Sequence, residues 1–205
     1  MPREFQFALK RGIDLAIAFL GLLLLIPAFV LIAIASSLDS PGPVFFAVRV
    51  AGQDGKVFRQ WKFRTMLKNA RQQGHLFETS SSDPRITRVG GILRRWSLDE
   101  LPQFWNVLRG DMSLVGPRPT FAEVAALYSP REARRLQIRP GLTGLAQIHG
   151  RNLLSWPERI ALDVLYIERY SLWADCKILF RTIPFVLRGE GIYGEGGRVR
   201  MHDPA

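Results

Sequence analysis

From Leu15 to Ala35 the chain carries no charged side chain. An apolar stretch of about 21 residues is roughly 30 Å long as a helix, the depth of a bilayer's hydrocarbon core. Three arrangements compete for it. A cleavable signal peptide is one, since Ala33-Ile34-Ala35 resembles a cleavage site, but the run is longer than a usual signal core. A straight spanning helix is the second. The third is a broken helix that enters and leaves by the same face, and two features favour it. Pro27 lies near mid-run, where it removes a backbone hydrogen bond and kinks the helix. Basic residues also flank both ends: Arg3, Lys10 and Arg11 before, then Arg49, Lys56, Arg59, Lys62 and Arg64 after. Both flanks prefer the cytoplasmic side, and a single crossing satisfies only one of them. Met1 to Arg11, basic and carrying Phe5 and Phe7, suits a membrane interface.

The chain is 205 residues long, enough for one domain with its own core plus an appendage. Its 28 Lys+Arg against 18 Asp+Glu give a formal charge of +10, which points to a polyanionic partner: nucleic acid, an anionic membrane surface or a phosphorylated substrate. The single cysteine, Cys176, excludes an internal disulfide framework and fits a reducing compartment. His75, His149 and His202 are scattered, and no Cys/His grouping has zinc spacing. The sequence holds no internal repeat and no Walker-type loop.

In this basic chain an acidic pair stands out, within Ser97-Leu98-Asp99-Glu100-Leu101-Pro102-Gln103. Arg85, Arg88, Arg94 and Arg95 precede it, and Arg109 and Arg118 follow. Leu101, Phe104, Trp105 and Leu108 have the spacing of one buried helix face. Ser97 and Glu100 have capping-box spacing, but a cap at Asp99 puts Pro102 safely in the first turn. Either way Asp99 is expected at a helix N-terminus, where free amides and the helix dipole favour an ionised carboxylate and a phosphoryl group. A plain helix cap is the competing reading.

Around this pair, Val44 to Val50 and Val57 to Arg64 read as strands joined by a turn, with Lys62 and Arg64 on one face. That face is either a solvated edge or a pair of cations aimed at phosphates. Residues 65 to 73 look weakly helical, His75 to Pro84 reads as a loop, and Arg85 to Trp96 is a helical stripe interrupted by Gly90-Gly91. Arg118, framed by Pro117 and Pro119 after Gly116, has a fixed backbone direction that pre-positions its guanidinium for bidentate contact. Helices are expected at Thr120 to Tyr128, Pro130 to Gln137 and Ser155 to Tyr170. The glycine-rich Arg139 to Gln147 is either turn chemistry or a backbone surface for a nucleotide. Asp163 shares an apolar helix face with Ile160, Val164 and Ile167, so it needs a partner, an arginine or a metal. Leu172 to Leu187 reads as an interfacial amphipathic helix or a core helix, and Gly189 onward as a loose tail.

Several strings together resemble the bacterial sugar transferases, the monotopic phosphoglycosyl transferases that start glycan assembly on polyprenyl phosphate. They are Lys10-Arg11-x-x-Asp14, Trp61-Lys62-Phe63-Arg64-Thr65-Met66, Arg85-Ile86-Thr87-Arg88-x-Gly90 and Ser97 to Gln103, followed by Asn106 to Pro119 and Pro140 to Gln147. The similarity runs from about Lys10 to Leu187 in the family's order, at the length of its minimal catalytic unit. It implies an α+β fold: a mostly helical membrane-associated domain with a small β-hairpin and interfacial amphipathic helices. A re-entrant membrane helix (residues 1–38) would precede a catalytic domain (39–188) on the cytoplasmic face of a bacterial inner membrane, with a flexible tail (189–205). Lys10, Arg11, Asp14 and Pro27 match the family's membrane element, although the proline follows Ile26 here rather than the serine often found.

The resemblance further implies a two-step exchange. Asp99 takes a phosphosugar from a UDP-sugar with release of UMP, and polyprenyl (undecaprenyl) phosphate then receives it, initiating exopolysaccharide, O-antigen or glycoprotein assembly. Asp99 and Glu100 are the catalytic candidates, with Asp99 also a ligand for Mg²⁺. Lys62, Arg64 and Arg118 are candidates for phosphate contacts, and Arg139, Gln147 and Arg151 for the nucleotide side. The implied partners are the UDP-sugar, polyprenyl phosphate and membrane lipids, without nucleic acid; a homodimer is left open. Two rivals remain, a membrane-tethered basic module for anionic lipid or nucleic acid and a direct single-step transferase.

Overall fold

The computed structural model describes residues 3–70, 79–80, 82–189, 191–194 and 198–199. The apolar run divides into two helices, α1 (Arg3–Leu24) and α2 (Ile26–Asp39), bent by 57° where they meet. The break falls at Leu25 (φ −89°, ψ 1°), two residues ahead of Pro27, which sits in the first turn of α2 and needs no hydrogen-bond partner there. Among the described residues no single helix is long and apolar enough to cross a bilayer; the bent pair is, taken together.

The expected hairpin forms between β1 (Phe45–Ala51) and β2 (Val57–Phe63), antiparallel with Phe46 opposite Lys62 and Val48 opposite Gln60. After the short β3 (Thr79–Ser80) come α3 (Arg88–Arg95), α4 (Gln103–Arg109), β4 (Ser113–Val115) and β5 (Thr120–Phe121). The helix expected from Thr120 therefore starts with a strand, because Thr120 and Phe121 pair with the free edge of β1. The chain continues through α5 (Ala122–Ala125), α6 (Pro130–Ala133), β6 (Gly141–Thr143), α7 (Trp156–Glu168), α8 (Leu172–Arg188) and β7 (Arg198–Val199). Glu158 accepts from both the amide and the hydroxyl of Ser155, the expected cap of α7. The architecture is α+β, as expected. Residues 65–69 form no helix and Ala70 lies in a 3₁₀ turn; residues 71–73, residues 75–78 and 81 of the expected loop, and His202 lie outside the described residues.

Gly90-Gly91 does not interrupt α3. A Cβ on Gly90 would lie 2.2 Å from the Thr65 carbonyl oxygen, so glycine is what lets the helix touch the chain leaving β2.

Among the described residues, the first helix shares a core with the rest of the chain. Ala18 of α1 packs with Val107, Met112, Leu114, Val115, Ile148, Tyr166, Tyr170 and Ile178, so the boundary drawn at residue 38 does not separate two cores. The basic motif of α1 faces this core rather than a lipid interface. Lys10 Nζ pairs with Asp175 of α8 at 2.7 Å, and Asp14 accepts from Ser113 Oγ at 2.7 Å and Leu114 N at 3.1 Å. Arg11 donates to the last carbonyls of α4, Val107 O (2.7 Å) and Leu108 O (3.1 Å), where the helix dipole favours a cation. What faces outward is apolar: Phe19, Leu24, Leu31 and Leu38 of α1–α2 and Trp173, Phe180 and Leu187 of α8 are each more than half exposed.

The other end of the helix pair is fastened by Arg64. Its guanidinium donates to Ser40 Oγ (2.8 Å), Ser40 O (2.7 Å) and Ser36 O (3.4 Å), while its Nε donates to Pro43 O (2.6 Å). Arg64 lies just past the end of β2, and these bonds commit its guanidinium to the end of α2 and the loop after it. We expect Arg64→Ala to lower stability by about 2–4 kcal/mol, since a buried cation's hydrogen bonds are lost and their acceptors stranded. Thermal melting in detergent checks this; an unchanged melting temperature with a raised donor KM would return Arg64 to phosphate binding.

Candidate active site

A cleft of about 400 Å³ opens beside the hairpin. One wall is the β1–β2–β5 face carrying Phe46, Val48, Val50, Gln60, Lys62 and Phe121, which register places on one side. The opposite wall holds Asp99, Glu100, Arg118, Gln147, Arg151 and, from α7, Arg159 and Asp163.

Asp99 is not at the N-terminus of α4. It lies in a 3₁₀ turn, Leu98–Glu100, which Ser97 enters in the left-handed conformation (φ 54°), and the helix begins only at Gln103 with Pro102 as its cap. Ser97 therefore makes no capping bond, and the dipole argument for Asp99 falls away. The turn is aimed by α4 instead. Gln103 accepts from Gln60 Nε2 at 3.0 Å, and Asn106 both donates to Arg59 O (2.8 Å) and accepts from Trp61 N (3.0 Å). These bonds lock α4 to β2 and set the turn against Lys62.

The two carboxylates then part company. Glu100 takes the Arg118 fork on both oxygens and Lys62 Nζ at 2.9 Å. Burial opposes its charge, but Arg118 and Lys62 outweigh burial and hold its carboxyl far below the usual range. Asp99 makes no hydrogen bond or ion pair among the described residues. Burial pushes its pKa up, with Glu100 adding to the rise and Lys62, Arg94 and Arg118 opposing it. The result is one neutralised carboxylate and, next to it, one with its oxygens unengaged among cations.

Other expected residues sort clearly. Arg151, strained at φ 54°, lines the cleft and donates to Ser97 Oγ at 3.1 Å. Gln147 lines it too, nearly buried, with no partner for its amide among the described residues. Arg64 reaches the rim, its guanidinium committed to α2. Arg139 does not join them: it is exposed, outside the cleft, and donates to Gly110 O at 3.1 Å beyond α4.

Asp163 finds an arginine, Arg135, which also donates to Thr120 Oγ1, Tyr128 Oη and the Arg118 carbonyl, each at 3.0 Å. Arg135 stacks on Trp156, its Cζ 5.2 Å from the ring centroid. Thus a buried ion pair fixes the backbone of the arginine that holds Glu100. Sequence reasoning missed Arg135, whose setting in Arg131-Glu132-Ala133-Arg134-Arg135 looks like any solvated helix. It also missed Arg94, Asn152 and Arg159 as cleft residues.

No three His, Cys, Asp or Glu side chains gather as a metal cage among the described residues. Mg²⁺ needs no such cage, since it commonly takes one or two carboxylates plus substrate phosphates. Asp99, with its oxygens unengaged, fits that role; Glu100, with both oxygens taken, does not.

The description "bacterial sugar transferase" matches residues 5–189. This chain belongs to the bacterial sugar transferase family. Within it, the chain is 41% identical over 198 residues to the exopolysaccharide production protein ExoY of Sinorhizobium fredii, covering 90% of this chain and 88% of that one. It is 44% identical over 202 residues to the UDP-glucose:undecaprenyl-phosphate glucose-1-phosphate transferase of Caulobacter vibrioides, covering 94% and 75% respectively. A UDP-N-acetylgalactosamine-undecaprenyl-phosphate N-acetylgalactosaminephosphotransferase of Aeromonas hydrophila is 41% identical, with 93% of this chain aligned to 46% of that protein.

For this sugar transferase, Arg135→Lys should slow turnover by about 5- to 150-fold, the equivalent of one to three kcal/mol of lost hydrogen bonding. If Arg135 acts through Arg118, Arg135→Lys and Arg118→Lys will be non-additive, whereas Arg139→Ala will add independently to either. A double-mutant cycle on turnover reads this directly.

Proposed function

We propose that this enzyme moves a sugar-1-phosphate from a UDP-sugar to polyprenyl phosphate, with undecaprenyl phosphate the acceptor, through a covalent intermediate on Asp99. The observation that carries this reading is the pairing at the cleft: Asp99 unbonded, Glu100 neutralised by Lys62 and Arg118. A carboxylate in that setting is a competent phosphoryl acceptor, and the cations around it offset charge on clustered phosphates.

In the first step an Asp99 oxygen attacks the sugar-proximal phosphorus. The bond from that phosphorus to the oxygen bridging the two phosphates breaks, and UMP leaves with the bridging oxygen. In the second step a phosphate oxygen of the polyprenyl phosphate attacks the same phosphorus. The bond to Asp99 breaks, the carboxylate is regenerated, and the product is a lipid diphosphate carrying the sugar. Lys62, Arg118 and Arg151 balance the diphosphate charge. Mg²⁺, when bound, supplies further neutralisation of the phosphates, with Asp99 the residue that would hold it.

The lipid acceptor calls for a membrane site, and the helix pair supports one. Both ends of α1–α2 are tied to one domain, near the start by Lys10–Asp175 and at the finish by Arg64–Ser40, while the bend between them exposes apolar side chains. A re-entrant helix has both ends on one face, here the cytoplasmic face of the inner membrane. Trp173, Phe180 and Leu187 of α8 extend the apolar surface toward lipid. Donor and acceptor then meet without a charged substrate crossing hydrocarbon.

With UDP-sugar alone, wild-type enzyme should release about one UMP per chain and keep the sugar phosphate on Asp99, as expected of a two-step exchange. Asp99→Asn should release none, and chelation of divalent metal should suppress the burst until Mg²⁺ is restored. Mass spectrometry of the trapped peptide, with a panel of UDP-sugars, checks site and sugar together. A burst-free wild type that still turns over with lipid would favour direct transfer.

A further inference from the structure

The segment after α8 builds part of the cleft. Gly191, Ile192 and Tyr193 line it, on the side of Gln147 and Arg151. Their position is held by Asn152, whose backbone N donates to Gly191 O at 3.2 Å and whose Nδ2 donates to Ile192 O at 2.7 Å. Contact is close enough to demand glycine: Gly191 has φ +65°, and a Cβ there would come within 2.5 Å of Gly150 O and 3.0 Å of Arg151 Cβ. Arg151 in turn bonds Ser97, two residues before Asp99. A continuous set of contacts therefore leads from the chain's last stretch to the nucleophile's turn. Ile192 and Tyr193 also border a second, open depression of about 430 Å³ that reaches Ile86, Gly91 and Arg95. The segment is thus a thin wall with space on both sides.

We propose that Gly191–Tyr193 is a working wall of the active site, a strap clamped by Asn152 that keeps water from the phosphosugar ester on Asp99 and holds Arg151 in place. This rests on the covalent route proposed above. An acyl phosphate needs such protection. Water attacking its phosphorus breaks the bond to Asp99, restores the carboxylate, loses a proton to buffer and releases free sugar-1-phosphate, wasting the donor. On this proposal Tyr193 and Ile192, which line the same cleft as Asp99, shield it from bulk solvent, and Asn152 is a positioning residue acting through them.

The test uses full-length enzyme in detergent, without lipid acceptor. The radiolabelled donor is whichever of UDP-glucose, UDP-galactose and their N-acetylated forms gives a UMP burst. Asn152→Ala, Tyr193→Ala and Gly191→Val are compared with wild type. Any variant that still gives a burst has a competent Asp99, and its adduct decay can be read. Free sugar-1-phosphate should then appear at least about tenfold faster than from wild type, with a larger share of donor lost to hydrolysis once acceptor is added. Adducts as long-lived as the wild type's in these variants would overturn the strap. A second arm is independent of the covalent step: adding UMP to wild type should slow amide hydrogen exchange at residues 191–194. No change there would also overturn it, whereas UMP protection without a burst would keep the wall and remove only the ester it shields.

Discussion

Glu100 is the residue on which the arrangement of the cleft depends. Three separate pieces of chain meet at its carboxylate: Lys62 from β2, the 3₁₀ turn that carries it, and Arg118 from the proline-framed loop. An ion pair this poorly solvated contributes little net stability, because desolvation consumes most of the attraction. Its value is positional. With both cations engaged by Glu100, the neighbouring carboxylate is left unpaired in a cationic field, and burial raises its pKa only against their opposition. Removing the charge from Glu100 would release two cations toward Asp99, turning a free carboxylate into one half of a salt bridge.

The structure sets this centre with neutral amides. Gln60, Gln103 and Asn106 are all nearly inaccessible to solvent and bridge β2 to α4. Buried amides are costly when unsatisfied and specific when satisfied, and Asn106, bonded to β2 through both its oxygen and its nitrogen, fixes register more sharply than apolar packing does. Arg135 serves the same end on the far side, giving Arg118 a fixed main chain.

Periodicity and turn chemistry made the hairpin, the kinked apolar run and the helices of residues 156–168 and 172–188 legible from sequence. These are local patterns, and the local chemistry won. The Asp99 turn is not legible because a capping-box spacing, a proline and an apolar stripe all fit a helix start, while the tertiary pull of β2 on Gln103 and Asn106 selects a 3₁₀ turn first. Alternation puts Arg64 on the Lys62 face but holds only within a strand; one residue beyond β2 the side chain lines the cleft and also caps α2. Lys10 and Arg11 read as an interfacial flank because a charge on a helix looks the same whether its partner is a headgroup or Asp175. Long-range pairs such as Arg135–Asp163 and Asn152–Ile192 leave no mark on spacing at all. The closing segment looked like a tail because glycines and basic residues describe a loose end equally well as a close backbone approach.

Ala18 is fully buried against Val107, Met112 and Leu114, far along the chain from it. The first helix is therefore a structural wall of the domain as well as an apolar rod. The core cannot close around Met112 until that helix has been delivered to its seat, so seating the first helix and folding the domain are a single event for this chain. A fragment begun after residue 39 would not be a soluble version of the enzyme; it would be a domain with its central groove open and Asp175 deprived of its lysine.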